Sequence, residues 1–276
     1  YFIPYIPSYE ATELLKMDLQ KRYLEIAKEF AKRYYNDINV VGITLSGGIA
    51  RETGDVYSEI DLNFYVKDRE DKNLPPEKDI LVNGVWFDFH IRDFDNEVKK
   101  EWSMVDKWDT KNSLIIFDRD GSLKKLIAQK TIFATIDIKK LYIEYIIRTK
   151  WSVQLAEIFD KRRDLKNAHI MINESVDAFV DYYFLKNKQF IPHFKWKYYY
   201  FQKLKIPSNN IKNKLLDLLL VKDYSRKELL KRVEKMKEII SKEFRNKYFK
   251  HLMQDITKLN EFIPSLKNGI NYKRSW

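Results

Sequence analysis

The spacing of hydrophobic residues changes near residue 121 and divides the chain into two parts. Before that point a helical spacing over residues 9–36 is followed by short β-type runs, at residues 39–45, 59–66, 79–82, 85–91 and 113–117. After it, apolar residues recur three and four positions apart and predict helices over residues 122–132, 137–162, 167–187, 194–204, 209–220 and 225–248. Strands first and helices afterwards predict an α+β fold, with a small mixed β-sheet domain at residues 1–133 and an all-α helical domain at 134–276.

Composition excludes several classes of site. The 276 residues include no cysteine, which removes disulfides, thiolate nucleophiles and zinc–cysteine centres, and the four histidines make a histidine-rich metal site a poor hypothesis. The apolar runs are too short to span a membrane, and the opening residues lack the pattern of a secretory signal. We therefore expect a soluble, cytoplasmic protein with no membrane partner.

Charge is distributed unevenly between the two halves. The chain carries +11 overall, but residues 1–138 contain 20 basic and 25 acidic residues, whereas residues 139–276 contain 31 basic and 15 acidic ones. An acidic first half favours a cation site, and a basic second half favours a partner that bears phosphates. A solvated, lysine-rich helical surface explains the second half equally well.

The most informative segment joins a glycine turn to a pair of carboxylates. The strand that ends at Leu45 runs into Ser46-Gly47-Gly48, where the backbone can approach a ligand closely and a short helix begins. Glu59-Ile60-Asp61 follows on a second strand. Because side chains two residues apart share one face of a strand, Glu59 and Asp61 are predicted to stand side by side while Ile60 enters the core.

A third carboxylate, Asp88, lies between two large apolar residues, Phe87 and Phe89, on a later strand. Carboxylates that approach one another in a dry environment repel unless a cation neutralises them. Hard oxygen ligands of this kind suit Mg²⁺ bound together with substrate phosphates. The alternative is that Asp88 faces solvent on an edge strand.

Together these residues resemble the DNA polymerase β-like nucleotidyltransferase superfamily over roughly residues 38–92. Leu45-Ser46-Gly47-Gly48 matches its glycine motif, Glu59-Ile60-Asp61-Leu62 its carboxylate–apolar–carboxylate strand, and Asp88 its third carboxylate, with Arg51 at the usual basic position between them. Two positions depart from the pattern, since the first carboxylate is usually Asp and the second glycine-loop position is often Ser. A binding-only relative without activity is therefore an alternative.

A weaker resemblance lies in the second half, in the segment from Asn187 to Trp196. Its Asn, aromatic, Pro192, Lys195 and Trp positions look like a segment of helical domains appended to small-molecule nucleotidyltransferases of the lincosamide and aminoglycoside type. The resemblance implies that Lys195 meets the triphosphate from a cleft between the two domains; an ordinary exposed lysine is the alternative.

The resemblance implies a reaction as well as a fold. Glu59, Asp61 and Asp88 would hold two Mg²⁺ ions, while Ser46, Gly47, Gly48, Arg51 and Lys195 would contact the NTP. Asp88 would help to deprotonate an acceptor hydroxyl, which attacks the α-phosphorus and releases pyrophosphate. A small hydroxylated acceptor is favoured, and RNA or a protein hydroxyl is the alternative that the basic second half supports.

Overall fold

The computed structural model describes residues 9–133 and 135–244, and the chain divides into two compact units. The first unit comprises residues 1–133 and the short segment Phe190–His193. The second unit comprises residues 134–189 and 194–276. Phe190 is buried within the first unit, where its ring centroid lies 5.4 Å from that of Phe133. Strands occupy the first unit and helices the second, which confirms the predicted α+β class.

The first unit contains five strands and five helices among its described residues. The predicted strands agree with the observed ones within two residues at each end, whereas the two short helices Phe94–Lys99 and Met104–Lys111 were not predicted from the hydrophobic spacing. The elements are α1 (Tyr9–Lys32), β1 (Val40–Leu45), α2 (Gly47–Ala50), β2 (Ile60–Val66), β3 (Asp79–Val82), β4 (Val85–Asp93), α3 (Phe94–Lys99), α4 (Met104–Lys111), β5 (Leu114–Asp118) and α5 (Ser122–Lys130).

The five strands form one mixed sheet in the order β3-β4-β2-β1-β5, in which β2 and β4 are parallel and the other neighbours antiparallel. One face of the sheet is apolar and packs against α1. Ile60, Leu62, Phe87 and Phe89 are all fully buried on this face, and the Phe30 ring of α1 lies 4.9 Å from that of Phe87. The period-two alternation of the strands thus directs their intervening residues to the opposite face.

The opposite face is polar although much of it is buried. Thr44, Ser46, Asn63 and Tyr65 all lie there and are almost inaccessible to solvent. Burial raises the pKa of the Tyr65 phenol, whose side-chain hydrogen-bond partners are Thr110 and Thr44. Buried polar groups that are satisfied in this way fix side-chain positions near the strand ends.

The second unit is helical throughout its described residues. Its elements are α6 (Thr135–Lys161), α7 (Leu165–Lys186), α8 (Phe194–Lys203), α9 (Asn209–Leu219) and α10 (Arg226–Glu243). Helix α7 is the central element, since residues at helical spacing along it, from Ala168 through Ile172, Val176 and Phe179, are fully buried. The last part of the predicted helix 225–248 lies outside the described residues.

Candidate active site

Three carboxylates converge on the polar face of the sheet. Asp61 on β2 pairs in register with Asp88 on the parallel strand β4, and Glu59 comes directly before β2. One carboxylate oxygen from each of the three residues lies within 4.8 Å of the others, and all three residues are half-buried. Three negative charges at this spacing favour a cation between them, and a set of carboxylate oxygens suits Mg²⁺. The donor set therefore fits the ion that the sequence implies.

The register of the two strands explains why the carboxylates meet. Ile60 opposes Phe87 and Leu62 opposes Phe89, and all four side chains are fully buried in the core. A shift of one residue would turn this apolar set towards the polar face, so the core fixes the pairing. Because side chains alternate along a strand, the same pairing places Asp61 beside Asp88 on the other face.

The glycine turn lies directly against one of these carboxylates. The Ser46 backbone N–H donates to the Asp61 carbonyl oxygen over 2.9 Å, and Gly47 follows with a φ of +68°. A Cβ atom on Gly47 would stand 1.7 Å from Asp61 Oδ2, so any other residue here would force the Asp61 side chain to move. Glycine is thus favoured at position 47 by the backbone conformation and leaves the Asp61 carboxylate in place.

The next glycine is not constrained in this way. A Cβ atom on Gly48 would meet the Ser58 hydroxyl at 3.5 Å and the Gly54 Cα at 3.6 Å, which are ordinary contacts. The position could therefore hold the Ser that is common in the resembled pattern. Steric crowding therefore does not explain why this chain has Gly, and not Ser, at position 48.

A chain of hydrogen bonds extends from the glycine turn across the polar face. Asn63 Nδ2 donates to Ser46 Oγ over 3.0 Å, and Arg92 Nε donates to Asn63 Oδ1 over 2.9 Å. Sequence reasoning missed Asn63 and Arg92, although each lies an even number of residues beyond a predicted carboxylate on the same strand. Their alternation with buried residues was the signal that could have identified them.

His90 is a second neighbour that the sequence interpretation left unassigned. Its Nε2 lies 3.0 Å from Asp88 Oδ2, and its side chain is 44% exposed. The imidazole therefore contacts one oxygen of the Asp88 carboxylate. The i+2 spacing from Asp88 places it on the same face.

Comparison with known proteins finds similarity at the level of the fold. No family model and no curated protein matches the chain. Among solved structures it is similar to a nucleotidyltransferase-like protein from Exiguobacterium sibiricum 255-15, with a TM-score of 0.50 and 11% identity, over 85% of this chain and 80% of that one. The fold is nucleotidyltransferase-like. At this identity the similarity concerns the fold, and the assignment of the carboxylates rests on their own geometry.

Within this nucleotidyltransferase-like fold, Arg51 has partners inside the protein. Its Nη1 lies 2.7 Å from Asp109 Oδ1, its guanidinium carbon lies 4.7 Å from the Trp108 ring centroid, and its side chain is only 6% exposed. These contacts tie the residue after α2 to helix α4. A direct contact of Arg51 with a phosphate stays a prediction, and its ion pair would have to rearrange to make one.

Lys195 lies on α8 in the second unit, where it is exposed, and its contact with a triphosphate also stays a prediction. Lys197 on the same helix is buried, and its Nζ lies 2.9 Å from both Asp177 Oδ1 and Asp181 Oδ1. Burial raises the pKa of Asp181 to about 6, and the nearby Lys197 opposes this shift. These ion pairs join α8 to α7.

No helix in the described parts of the chain combines the length and the apolar character needed to cross a membrane.

Proposed function

We propose that this chain transfers a nucleotidyl group from an NTP to a hydroxyl group of a small-molecule acceptor, in the manner of the small-molecule nucleotidyltransferases. The observation that carries the proposal is the convergence of Glu59, Asp61 and Asp88 within 4.8 Å beside a glycine turn, in a nucleotidyltransferase-like fold. Three carboxylates this close repel one another and lower the stability of the fold unless a bound cation neutralises them.

The three carboxylates would hold divalent ions, two in our proposal, which when bound neutralise phosphate charge and orient the reacting oxygens. The backbone at Gly47 and Gly48 would approach the phosphates closely because neither residue carries a side chain. Asp88 would accept the proton of the acceptor hydroxyl. The acceptor oxygen then forms a bond to the α-phosphorus as the bond to the β-phosphate breaks, and pyrophosphate leaves.

Incubation of the protein with each labelled NTP, Mg²⁺ and a panel of acceptors, with pyrophosphate release as the readout, tests this proposal. We expect turnover in the wild type and its loss in Asp61→Asn. Asp95→Asn is the matched control, because Asp95 is an exposed acidic residue on α3 outside the cluster. Turnover that survives Asp61→Asn would refute the assignment of the site.

The unusual first carboxylate provides an internal test. If Glu59 binds a metal ion, Glu59→Asp should keep or raise turnover, since it restores the residue usual in the resembled pattern, and Glu59→Ala should abolish it. A wild type that binds NTP without turnover, and is not activated by Glu59→Asp, would instead support a binding-only relative.

The charge of the second half supports a second candidate, nucleotidyl transfer to an RNA end or a protein hydroxyl. Residues 139–276 carry 31 basic against 15 acidic residues. Binding of RNA through these lysines would weaken steeply with salt, with a log–log slope of roughly −0.7 per phosphate contact for single strands. A salt titration of binding to a fluorescent single-stranded RNA separates this candidate from the small-molecule one.

A further inference from the structure

An exposed tryptophan lies beside the carboxylate cluster on the polar face of the sheet. Trp86 is on β4, two residues before Asp88, and is 53% exposed. Phe87, between them, is fully buried on the opposite face. Side chains two residues apart share a face of a strand, and each residue advances the strand by about 3.3 Å, so the Cα atoms of Trp86 and Asp88 are roughly 7 Å apart.

A second exposed apolar residue lies directly across from Trp86 on the neighbouring strand. Leu81 on the antiparallel strand β3 pairs in register with Trp86 and is 56% exposed. Residues that oppose each other in this way have Cβ atoms about 4.5–5.5 Å apart, so the two side chains form one continuous surface, here called the Trp86–Leu81 surface. Single exposed apolar residues are ordinary in proteins, whereas apolar residues that adjoin one another in the open are typical of a contact surface.

The strand order places this surface on the acceptor side of the proposed reaction. The glycine turn follows β1, which lies on one side of β2, whereas β4 and β3 lie on the other side. Asp61 and Asp88 therefore stand between the glycine turn and the Trp86–Leu81 surface. In nucleotidyl transfer the attacking and leaving oxygens lie roughly in line, on opposite sides of the phosphorus. Phosphates at the glycine turn would thus leave the side of β4 and β3 to the attacking hydroxyl.

The charge next to the surface restricts which acceptors fit. Asp79 on β3 is exposed and pairs in register with Asp88, so a second carboxylate adjoins the place of the acceptor. An acceptor that carries phosphate would bring its negative charge close to both carboxylates, which is unfavourable. The Trp ring itself offers a broad apolar face, and aromatic rings pack on such a face in offset-stacked or edge-to-face arrangements.

We infer that the Trp86–Leu81 surface binds the acceptor through an uncharged, planar aromatic group, while the hydroxyl of the acceptor meets Asp88. The separation of roughly 7 Å between Trp86 and Asp88 suits an aromatic compound whose hydroxyl lies on the ring or a few bonds from it. Trp86 is then a residue that determines acceptor specificity, since it contacts the acceptor and takes no part in the proton transfer. This inference rests on the proposed function and specifies its acceptor.

The test compares aromatic compounds with their saturated counterparts by saturation-transfer NMR on the full chain, without NTP. The pairs are 4-ethylphenol with 4-ethylcyclohexanol, and 2-phenylethanol with 2-cyclohexylethanol, which distinguish a ring hydroxyl from a side-chain hydroxyl. We expect at least one aromatic compound to bind the wild type at least threefold more tightly than its counterpart, and at least tenfold more weakly to Trp86→Ala. Trp86→Phe, which keeps an aromatic ring, should retain binding. Trp151→Ala is the matched control, because Trp151 is a partly exposed tryptophan on α6 in the second unit.

The outcomes of the binding test decide the inference. Binding that is lost in Trp86→Ala but kept in Trp86→Phe, Trp151→Ala and Asp61→Asn supports the surface as the site of the aromatic group. Equal binding by Trp86→Ala and the wild type, or no preference for either aromatic compound, would overturn it. A second copy of the chain is another possible occupant, and sedimentation that shows a wild-type dimer and a Trp86→Ala monomer would also overturn it.

Turnover separates this inference from the proposed function. With an aromatic acceptor, Trp86→Ala should raise KM at least tenfold with a smaller change in kcat, whereas Asp61→Asn should lose turnover. Turnover that is abolished in Asp61→Asn but has an unchanged KM in Trp86→Ala would leave the proposed function standing and refute the inference alone. Binding that depends on Trp86, without turnover of any acceptor, would support the surface as a ligand site and refute the proposed function.

Discussion

Substitution by Ala should lower the stability of the folded protein at Gly47 and keep or raise it at the adjacent Gly48. In Gly47→Ala the new methyl group would stand 1.7 Å from Asp61 Oδ2 and would adopt a φ of +68°, so the backbone alone costs about 1–2 kcal/mol. The Asp61 carboxylate must also turn away, and loss of one charged contact to a cation costs about 1.5–3 kcal/mol, or roughly tenfold to a hundredfold in affinity. In Gly48→Ala the nearest atoms are 3.5 Å away, and the residue lies in α2, where Ala is favoured over Gly by about 0.5–1 kcal/mol.

Urea unfolding and calorimetric titration with Mn²⁺, used as a substitute for Mg²⁺, measure the two effects separately. We expect Gly47→Ala to be less stable than the wild type and to bind Mn²⁺ at least tenfold more weakly. Gly48→Ala should be as stable or more stable and should bind Mn²⁺ normally, and Gly48→Ser should behave like Gly48→Ala in stability. Wild-type Mn²⁺ affinity in Gly47→Ala would show that the contact between the turn and the carboxylate is not what holds the site.

Three further predictions concern charge. Asp61→Asn should bind Mn²⁺ at least tenfold more weakly and, without added metal, should melt at the same or a higher temperature, because it relieves repulsion in the cluster; a lower melting temperature would contradict this. Burial raises the pKa of Asp181 from its ordinary 3.8 to about 6 in the folded protein, so the folded state holds this proton more tightly than the unfolded state, and the contribution of Asp181 to stability should fall by up to about 3 kcal/mol as pH rises from 4 to 6. Urea unfolding across this range should show a smaller fall in Asp181→Asn; an unchanged slope would refute it. Lys195→Ala should weaken NTP binding roughly ten- to a hundredfold by calorimetry with little change in melting temperature, and unchanged affinity would remove Lys195 from the nucleotide site.

The strands and the carboxylate cluster could be predicted from sequence because both depend on strong local alternation. Ile60 lies between Glu59 and Asp61, and Asp88 lies between Phe87 and Phe89, and this alternation determines which face each carboxylate occupies. The pairing of Asp61 with Asp88 did not follow from alternation alone, because neither local pattern states which strands are neighbours. The family resemblance supplied that step, and the parallel register of β2 and β4 confirms it.

The parts that were missed depend on short segments and on tertiary contacts. Helix α4 has only eight residues, but its capping box between Ser103 and Asp106 was a sequence signal that could have located it. Helix α3 is shorter still and begins at the end of β4, where Asp93 caps it. The burial of Glu97, which is only 4% exposed, could not be predicted, because Glu97 on an isolated helix would be an exposed residue and only the packing of α3 against the sheet buries it.

The parallel pairing of β2 with β4 also determines where the chain can accept insertions without disturbing the carboxylates. The spacing of the three carboxylates is set by core residues within the strands, and not by the connection of residues 67–78 that leads from β2 to β3. An insertion at the exposed positions Lys72 and Asn73 should therefore leave the carboxylates in place, as exposed loops tolerate added residues. Deletion of Phe87 alone would shift the alternation of β4 by one residue and separate the carboxylates. A peptide tag or a reporter domain could thus be carried in this loop, and homologues could differ widely in its length while keeping the same chemistry.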